Sequence, residues 1–366
     1  EIKLRQEGYS NLTPENIGNI KLIKLIKKEV LIPFDLFNGP LVRFKLFETS
    51  EYEYLLLIVM HHAISDGHSI KIFMKELSYI YSRMAMGETI NLPSLKIKYS
   101  DLSKYEEKYI SSNYKSIDID YWKKEFKGVP TQIQLYHDIK SESLDFIGDD
   151  IDFTISPQQY KNFTEVSKKY DVSIFSLFLT AFGLTLYRYS NQKDFLIGTA
   201  YSGRTMSEFD NVIGCFIRTL AIRFNLNSNK KLHETWKIIH IKIIEAISHS
   251  DLPFDEIVKS LNETTLNKNK NPLFQTMIIF DSDDDYDLKF TDLESKKLNI
   301  STNFSSFDIT LFIFKNGRSI KGRIKYKTSL FTKKLMQKFL DHFLNLLKSF
   351  PEHANGDTKK TPMLTE

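Results

Sequence analysis

The sequence predicts a mixed α/β protein built from two lobes. Its 366 residues exceed what one compact core usually takes. Strand-like and helix-like segments alternate irregularly, which favours mixed α+β layers over a strict parallel βαβ array. Residues 127–150 show no sustained hydrophobic period and carry turn residues. We therefore expect the lobe boundary there, with an N-terminal lobe over residues 1–135 and a C-terminal lobe over residues 136–366.

The first lobe is predicted to contain a β-hairpin followed by a helix. LVRFKLFE (41–48) and EYLLLIVM (53–60) are strand-like runs, and the second is apolar on both faces, as a central strand would be. In SIKIFMKELSYIYSRMAMG (69–87), apolar residues recur at helical spacing, with Ser69 as the expected N-cap. The segment HHAISDGHS (61–69) is therefore expected on a strand-to-helix turn.

The rest of the chain continues the mixed pattern, and no sequence repeat relates its two halves. A polar helix, SDLSKYEEKYISS, and the segment DIDYWKKEF complete the first lobe. Strands are predicted at DIDFTIS, DFLIGTAY, FQTMIIF, FDITLFIF and SIKGRIKYK. Helices are predicted at SPQQYKNFTEVSKKYDV, SIFSLFLTAFGLTLYRYS, LHETWKIIHIKIIEAISH and FTKKLMQKFLDHFLNLLKSF.

Composition limits the classes of function. Hydrophobic residues make up 42% and charged residues 26%, as is ordinary for globular proteins, and the net charge is only +4. We expect no nucleic-acid partner, because no basic stripe is present. We expect no membrane partner, because no apolar run approaches the roughly 20 residues of a span. The single cysteine, Cys215, excludes a disulfide framework and fits a cytoplasmic location.

The segment VMHHAISDGHS (59–69) concentrates chemically useful residues. His61 and His62 are adjacent, so on extended backbone they point to opposite faces and only one readily faces a given cavity. Asp66 can orient a ring or pair with an arginine, and Gly67 allows close backbone approach. Hydrogen-bonded core histidines remain an alternative at this point. A metal site would add His68, but we expect none, because no second ligand cluster accompanies it.

Three other patterns give weaker signals. DSDDDYD (281–287) begins like a calcium loop, but Tyr286 stands where the turn needs glycine, and Asp292 stands where a bidentate glutamate belongs, which favours a solvated loop. Cys215 lies between apolar residues in VIGCFIRTL and is predicted to be a buried side chain rather than a nucleophile. GTAYSGRT matches neither glycine pattern of nucleotide-binding loops.

Several segments together resemble one family. MHHAISDGHS matches the HHxxxDG signature of the condensation domains of nonribosomal peptide synthetases, which belong to the acyltransferases that resemble chloramphenicol acetyltransferase. Further matches occur in the family's order and cover nearly the whole chain. They are IPFDLFNGPLVRF before the signature, then YSDLSKYEEKY, IGTAYSGRT, NVIGCFIRTLAIRF, HSDLPFDEIV, NKNPLFQTMIIF, SFDITL and TPMLTE.

The resemblance implies a fold, a reaction and partners. The fold would be two chloramphenicol acetyltransferase-like lobes in a V-shaped pseudo-dimer, with the signature at their junction. The reaction would be amide formation between a donor acyl or peptidyl thioester and an acceptor aminoacyl thioester. Donor and acceptor peptidyl carrier proteins would deliver both on phosphopantetheine arms, with no tightly bound cofactor, next to an adenylation domain. The setting would be antibiotic or secondary-metabolite biosynthesis.

The resemblance assigns the chemistry to His62. An α-amino group has a pKa of about 7.7–8.0, so much of the amine is already neutral at physiological pH and a strong base is unnecessary. Orienting the amine, with proton uptake as the tetrahedral intermediate forms, is the economical role for His62. His61 is assigned to structure.

The resemblance assigns the remaining signature residues to support. Asp66 is expected to pair with an arginine and hold the turn, and Arg43 and Arg204 are the candidates for that arginine. Gly67 would let its backbone approach the thioester and donate a hydrogen bond to the oxyanion.

The chain departs from the family pattern in three places. The family's opening segments, including its RHExLR-type motif, are absent, and the missing initiator Met is consistent with a piece of a larger protein. His68 stands where the family has Trp or Val, and Arg218 stands where it has Asn. The alternatives are an epimerisation domain, whose glutamate-bearing motif has no match here, a stand-alone acyltransferase, and a non-catalytic platform that only binds carriers.

Overall fold

The computed structural model describes residues 5–8, 20–139, 146–226, 229–261, 271–282, 289–298 and 303–364. These residues group into two compact units. One comprises Glu1–Asp101, Arg204–Phe216 and Tyr286–Thr302, as far as these ranges are described, and the other comprises Leu102–Gly203, Ile217–Asp285 and Asn303–Glu366, with the same restriction. The lobe boundary expected at residue 135 stays a prediction. So does the loop predicted at DSDDDYD, since residues 283–287 lie outside the described ranges.

In its described residues, the first unit contains a small sheet and two α-helices that lie wholly within it. Strands β1 (Arg5–Gly8), β2 (Val42–Ser50) and β3 (Glu53–Met60) lie in that spatial order, and the helices are α1 (Ile20–Leu31) and α2 (Gly67–Ala85). The antiparallel pairing of β2 with β3 confirms the predicted hairpin.

Two features of this unit differ from the sequence prediction. The helix α1 was not predicted, although its sequence IKLIKLIKKEVL places Leu22 and Ile26 one turn apart, where both pack against Phe47. The strand β3 lies at the edge of the described sheet, not at its centre. Its two apolar faces misled the prediction, because side chains such as Leu56 remain 43% exposed there.

The second unit contains a larger sheet with mixed strand directions, which confirms the mixed α/β class. The described strands are β4 (Gly148–Ile155), β5 (Asp194–Ser202), β6 (Ile217–Asn225), β7 (Thr276–Ser282), β8 (Ile309–Asn316) and β9 (Ser319–Lys327). They follow the order β4–β9–β8–β7–β5–β6, in which only β5/β7 and β7/β8 pair in parallel. The remaining helices are α3 (Tyr99–Ile110), α4 (Tyr114–Phe126), α5 (Pro157–Tyr170), α6 (Ile174–Ser190), α7 (Leu232–Ser248), α8 (Phe254–Ser260) and α9 (Lys333–His353).

The helix α6 lies in the core of the second unit. Its residues 176–186 are all buried, which explains why the sequence is apolar on every face. Ser173 caps its start by accepting from the Ser176 N–H, and Asn191 ends it in the left-handed conformation. No single described helix is long and apolar enough to cross a membrane. The pair α5 and α6 reaches that length only together, across a bend of 103°.

A glycine on β5 sets the packing of this core. A Cβ atom at Gly198 would lie 2.0 Å from a ring carbon of Phe274, too close for two non-bonded carbon atoms. We expect Gly198→Ala to lower the free energy of unfolding by about 1–3 kcal/mol through overpacking. Urea denaturation measures this, with Ser202→Ala at the exposed end of the same strand as the control. Equal stability of the two variants would contradict the prediction.

Candidate active site

The signature residues form the predicted turn between β3 and α2. After β3, residues His62–Ile64 make one turn of 3₁₀-helix, and the Nδ1 of His61 accepts from the Ala63 N–H at 3.1 Å. The helix α2 then begins at Gly67. Its N-cap is Asp66, which accepts from the Ser69 N–H at 2.7 Å, so the predicted cap at Ser69 is wrong. Ser69 lies inside the first turn because Asp66 already binds its N–H.

Asp66 is the centre of a buried ion pair. Its Oδ1 lies 3.3 Å from a guanidinium nitrogen of Arg204, and both side chains are only 3% exposed. Its Oδ2 accepts from the Phe216 N–H at 2.9 Å. Burial acts to raise the pKa of Asp66, but the hydrogen bonds from the Ser69 and Phe216 N–H groups and the charge of Arg204 hold it below its usual range. The carboxylate is therefore ionised and fully bound at neutral pH.

The two arginines proposed as partners of Asp66 have different positions. Arg204 binds Asp66, donates to the carbonyls of Phe209 and Val212, and places its guanidinium 3.9 Å from the centre of the Phe216 ring. Arg43 instead donates to the carbonyls of Glu29, Ile32 and Pro33, the nearest at 2.7 Å. Arg43 therefore caps the C-terminal end of α1 and is not the partner of Asp66.

Ser69 links the start of α2 to the segment 214–216. Its hydroxyl donates to the Gly214 carbonyl at 2.6 Å and accepts from the Gly214 N–H at 3.0 Å and from Arg204 at 2.9 Å. One donor and two acceptor sites are all that a hydroxyl has, so the group is saturated. The Tyr99 hydroxyl donates to the Cys215 carbonyl at 2.9 Å. The backbone of residues 214 and 216 is thereby fixed against the signature turn, and that of residue 215 against the start of α3.

The His62 side chain is exposed, and its ring contacts Cys215. The Nδ1 of His62 lies 3.5 Å from the Cys215 sulfur. The hydrogen bond with Cys215 raises the pKa of His62 to about 9, against the opposing effect of burial. Cys215 is half-buried rather than buried. No local pattern indicates this pair, because 153 positions separate its members. Only the family's NVIGCF segment, which follows the signature, could have indicated it.

Both residues that depart from the family pattern have partners. The Nε2–H of His68 donates to the Asp210 carbonyl at 2.9 Å, which ties the first turn of α2 to the segment that carries Arg204. Arg218 forms an ion pair with Glu106 at 2.5 Å. In the described ranges, no group of three His, Cys, Asp or Glu side chains is placed to hold a metal ion.

The His68 contact predicts a small stability effect. We expect His68→Ala to lower the free energy of unfolding by about 0.5–1 kcal/mol, the net worth of one hydrogen bond at an accessible site. Thermal denaturation checks this, with the exposed Lys75→Ala on the same helix as the control. A loss of unfolding free energy as large as that of a core substitution would contradict this prediction and give His68 a larger structural role.

Comparison with known proteins identifies the family. The family model for the condensation domain matches residues 3–366. The chain belongs to the condensation domain family. Malpinin synthetase of Mortierella alpina is 30% identical over 324 residues, which are 88% of this chain and 4% of that protein. Bacitracin synthase 3 of Bacillus licheniformis is 30% identical over 340 residues, which are 93% of this chain and 5% of that protein. This condensation domain thus spans a small fraction of its curated relatives.

Solved structures share the fold. A four-domain nonribosomal peptide synthetase bound to AMP and glycine matches with a TM-score of 0.87 and 20% identity, over 100% of this chain and 28% of that one. The X-domain from teicoplanin biosynthesis matches with a TM-score of 0.85 and 18% identity, over 99% and 81%. The family and the fold predicted from the HHxxxDG signature and its companion motifs are confirmed.

Proposed function

We propose that this condensation domain forms an amide bond between a donor acyl or peptidyl thioester and an acceptor aminoacyl thioester. Donor and acceptor carrier proteins would deliver both substrates on phosphopantetheine arms, and no other cofactor would be needed. An adenylation domain of the same synthetase would supply the activated amino acid. The observation that carries this proposal is an intact HHxxxDG turn, in which His62 is exposed while Asp66 is buried and paired.

The reaction is mainly a problem of position. An amine nitrogen must be held about 3–3.5 Å from the thioester carbonyl carbon. The nitrogen attacks that carbon, the C–S bond breaks, and the proton lost by the amine ends on the departing phosphopantetheine sulfur as a thiol. No oxidant, metal or second nucleophile is required. The domain has to hold both thioesters and stabilise the oxyanion of the tetrahedral intermediate.

The turn offers groups suited to both tasks. His62 would contact the reacting atoms, and Gly67, the first residue of α2, would let a thioester approach the positive end of the helix. His61 would support the turn through its contact with the Ala63 N–H. The pair of Asp66 and Arg204 would hold the turn without touching substrate.

A reconstituted assay tests the proposal. The chain is mixed with a carrier bearing an N-acetyl-aminoacyl thioester and a second carrier bearing an aminoacyl thioester, over a panel of both amino acids. Intact mass spectrometry should show acceptor carrier that has gained the donor acyl group, and an equal amount of donor carrier with a free thiol. An acceptor with an acetylated amine is the control and should gain nothing.

Two results would overturn the proposal. Carrier binding without amide across the panel would assign the chain to non-catalytic carrier binding. Inversion of the stereocentre of a carrier-bound aminoacyl group, without donor, would assign it to epimerisation.

A further inference from the structure

Cys215 is held in a defined position beside His62, and this position has a consequence for the proposed reaction. The backbone of Gly214 is bound on both sides by Ser69, the carbonyl of Cys215 by Tyr99, and the N–H of Phe216 by Asp66. The backbone that carries Cys215 is therefore held in place, and its sulfur lies 3.5 Å from the Nδ1 of His62.

The contact decides which ring nitrogen carries a hydrogen. In a neutral pair, the thiol donates to Nδ1, because an imidazole nitrogen is a far better acceptor than a thiol sulfur, and the ring hydrogen must then reside on Nε2. In an ionic pair, the thiolate accepts from Nδ1–H of an imidazolium, which also carries a hydrogen on Nε2. Both arrangements hold the same number of protons. The nitrogen left for substrate is a donor in each.

We propose that Cys215 is a positioning residue that makes His62 a hydrogen-bond donor toward the thioester carbonyl. The inference rests on the proposed amide formation and assigns His62 a different role from proton uptake. The Nε2–H binds the carbonyl oxygen while the amine adds, and keeps its hydrogen throughout. The proton of the amine leaves on the phosphopantetheine sulfur when the C–S bond breaks, so the atoms and charges balance.

The electrostatics of the turn agree with this role. The pKa of His62 is raised to about 9, first by the hydrogen bond with Cys215 and then also by the charges of Cys215 and Asp66, against burial. Arg204, which pairs with Asp66, is the other charged group of this cluster. At neutral pH the ring therefore keeps the hydrogen that an oxyanion requires.

Nitrogen NMR of the His62 ring tests whether Cys215 keeps the hydrogen on Nε2. Protein labelled with ¹⁵N-histidine is titrated from pH 6 to 10, and His62→Ala assigns the signal. We expect Nε2 to carry hydrogen up to a pH of about 9. Cys215→Ala should move the midpoint down toward about 6.5, the ordinary value for histidine. A neutral wild-type ring with its hydrogen on Nδ1, or a midpoint that Cys215→Ala leaves unchanged, would overturn the inference.

The pH profile of amide formation tests whether the hydrogen-bond donor on His62 contributes to the reaction rate. Wild-type rates should rise as the amine loses its proton and fall above pH 9, where His62 loses its own. Cys215→Ala should be slower at pH 8 by about tenfold, less than the roughly 10²- to 10⁴-fold that a positioned proton-transfer group contributes, because His62 itself is retained. Cys215→Ser should retain most of the rate at pH 8, because its hydroxyl still donates to Nδ1.

The two proposals can fail separately. Equal rates and pH profiles for wild type, Cys215→Ala and Cys215→Ser would overturn the role of Cys215 and leave amide formation standing. If no pair of carriers yields amide, the proposed function fails, and the ring NMR still decides whether Cys215 sets the proton position of His62.

Discussion

Replacing Asp66 by alanine is expected to lower the free energy of unfolding by about 3–5 kcal/mol, the range for breaking a buried ion pair by removing one partner. The substitution leaves the Arg204 guanidinium charged and 3% exposed. It also removes the acceptor for the Phe216 N–H and the cap of α2. These groups are too deeply buried for water to replace the carboxylate, which is why the loss exceeds that of a single hydrogen bond.

Urea denaturation of Asp66→Ala and wild type measures this loss. Asp255→Ala is the matched control, because that carboxylate also pairs with a cation, Lys259, but both side chains are about two-thirds exposed. The control should leave the unfolding midpoint unchanged, since water screens such pairs. A variant of Asp66 that unfolds like the wild type, yet forms no amide, would give the carboxylate a chemical role instead.

The same carboxylate predicts an acid dependence. Since the pKa of Asp66 is lowered in the folded state, its contribution is present above the unfolded value of about 3.9 and is lost as the pH falls through the lower folded value. The stability difference between wild type and Asp66→Ala should therefore shrink only in strong acid. A difference that already disappears between pH 7 and pH 5 would mean that the pKa of Asp66 is not lowered in the folded state.

The hairpin and the strand-to-helix turn could be predicted because they follow from local patterns. Two strand-like runs four residues apart, then polar residues, then apolar residues at helical spacing, admit few other structures. Serine and aspartate both cap helices well, so the sequence pattern that predicts an N-cap at Ser69 does not exclude Asp66. Only the hydrogen bond from the Ser69 N–H decides for Asp66. The local pattern therefore predicts the helix but not which of the two residues caps it.

The contacts that complete the site could not be predicted, because they join distant parts of the chain. Arg204 lies 138 positions from Asp66, and nothing in the sequence near either residue separates it from Arg43 as a partner. The apolar neighbours of Cys215 predict a core position for the same reason, because nothing near it in the sequence indicates its contact with His62. The strand β6 starts two residues later, at Ile217, in the family segment that also holds Cys215, and was missed as a strand. The family motifs predict that these segments belong to one site, but they do not predict which side chains are in contact.

Replacing His62 by alanine is expected to lower the rate of amide formation by about 10²- to 10⁴-fold, the range for one positioned proton-transfer or donor group. Stability should change little, since the His62 side chain is exposed and solvent screens its interactions. Single-turnover transfer from a loaded donor carrier measures the effect, with the unfolding midpoint measured in parallel. His62→Ala with near-normal turnover would remove this residue from the mechanism.

A glutamine at the same position separates the two roles open to the ring. The amide of His62→Gln keeps N–H donors but takes up no proton at neutral pH. If His62 serves as a donor to the carbonyl oxygen, glutamine should recover about tenfold of the rate lost in His62→Ala, because that hydrogen bond is what the transition state strengthens. If His62 instead takes a proton from the amine, glutamine should be as slow as alanine. The first outcome is the expected one under the role proposed for Cys215, whose sulfur lies 3.5 Å from the Nδ1 of His62.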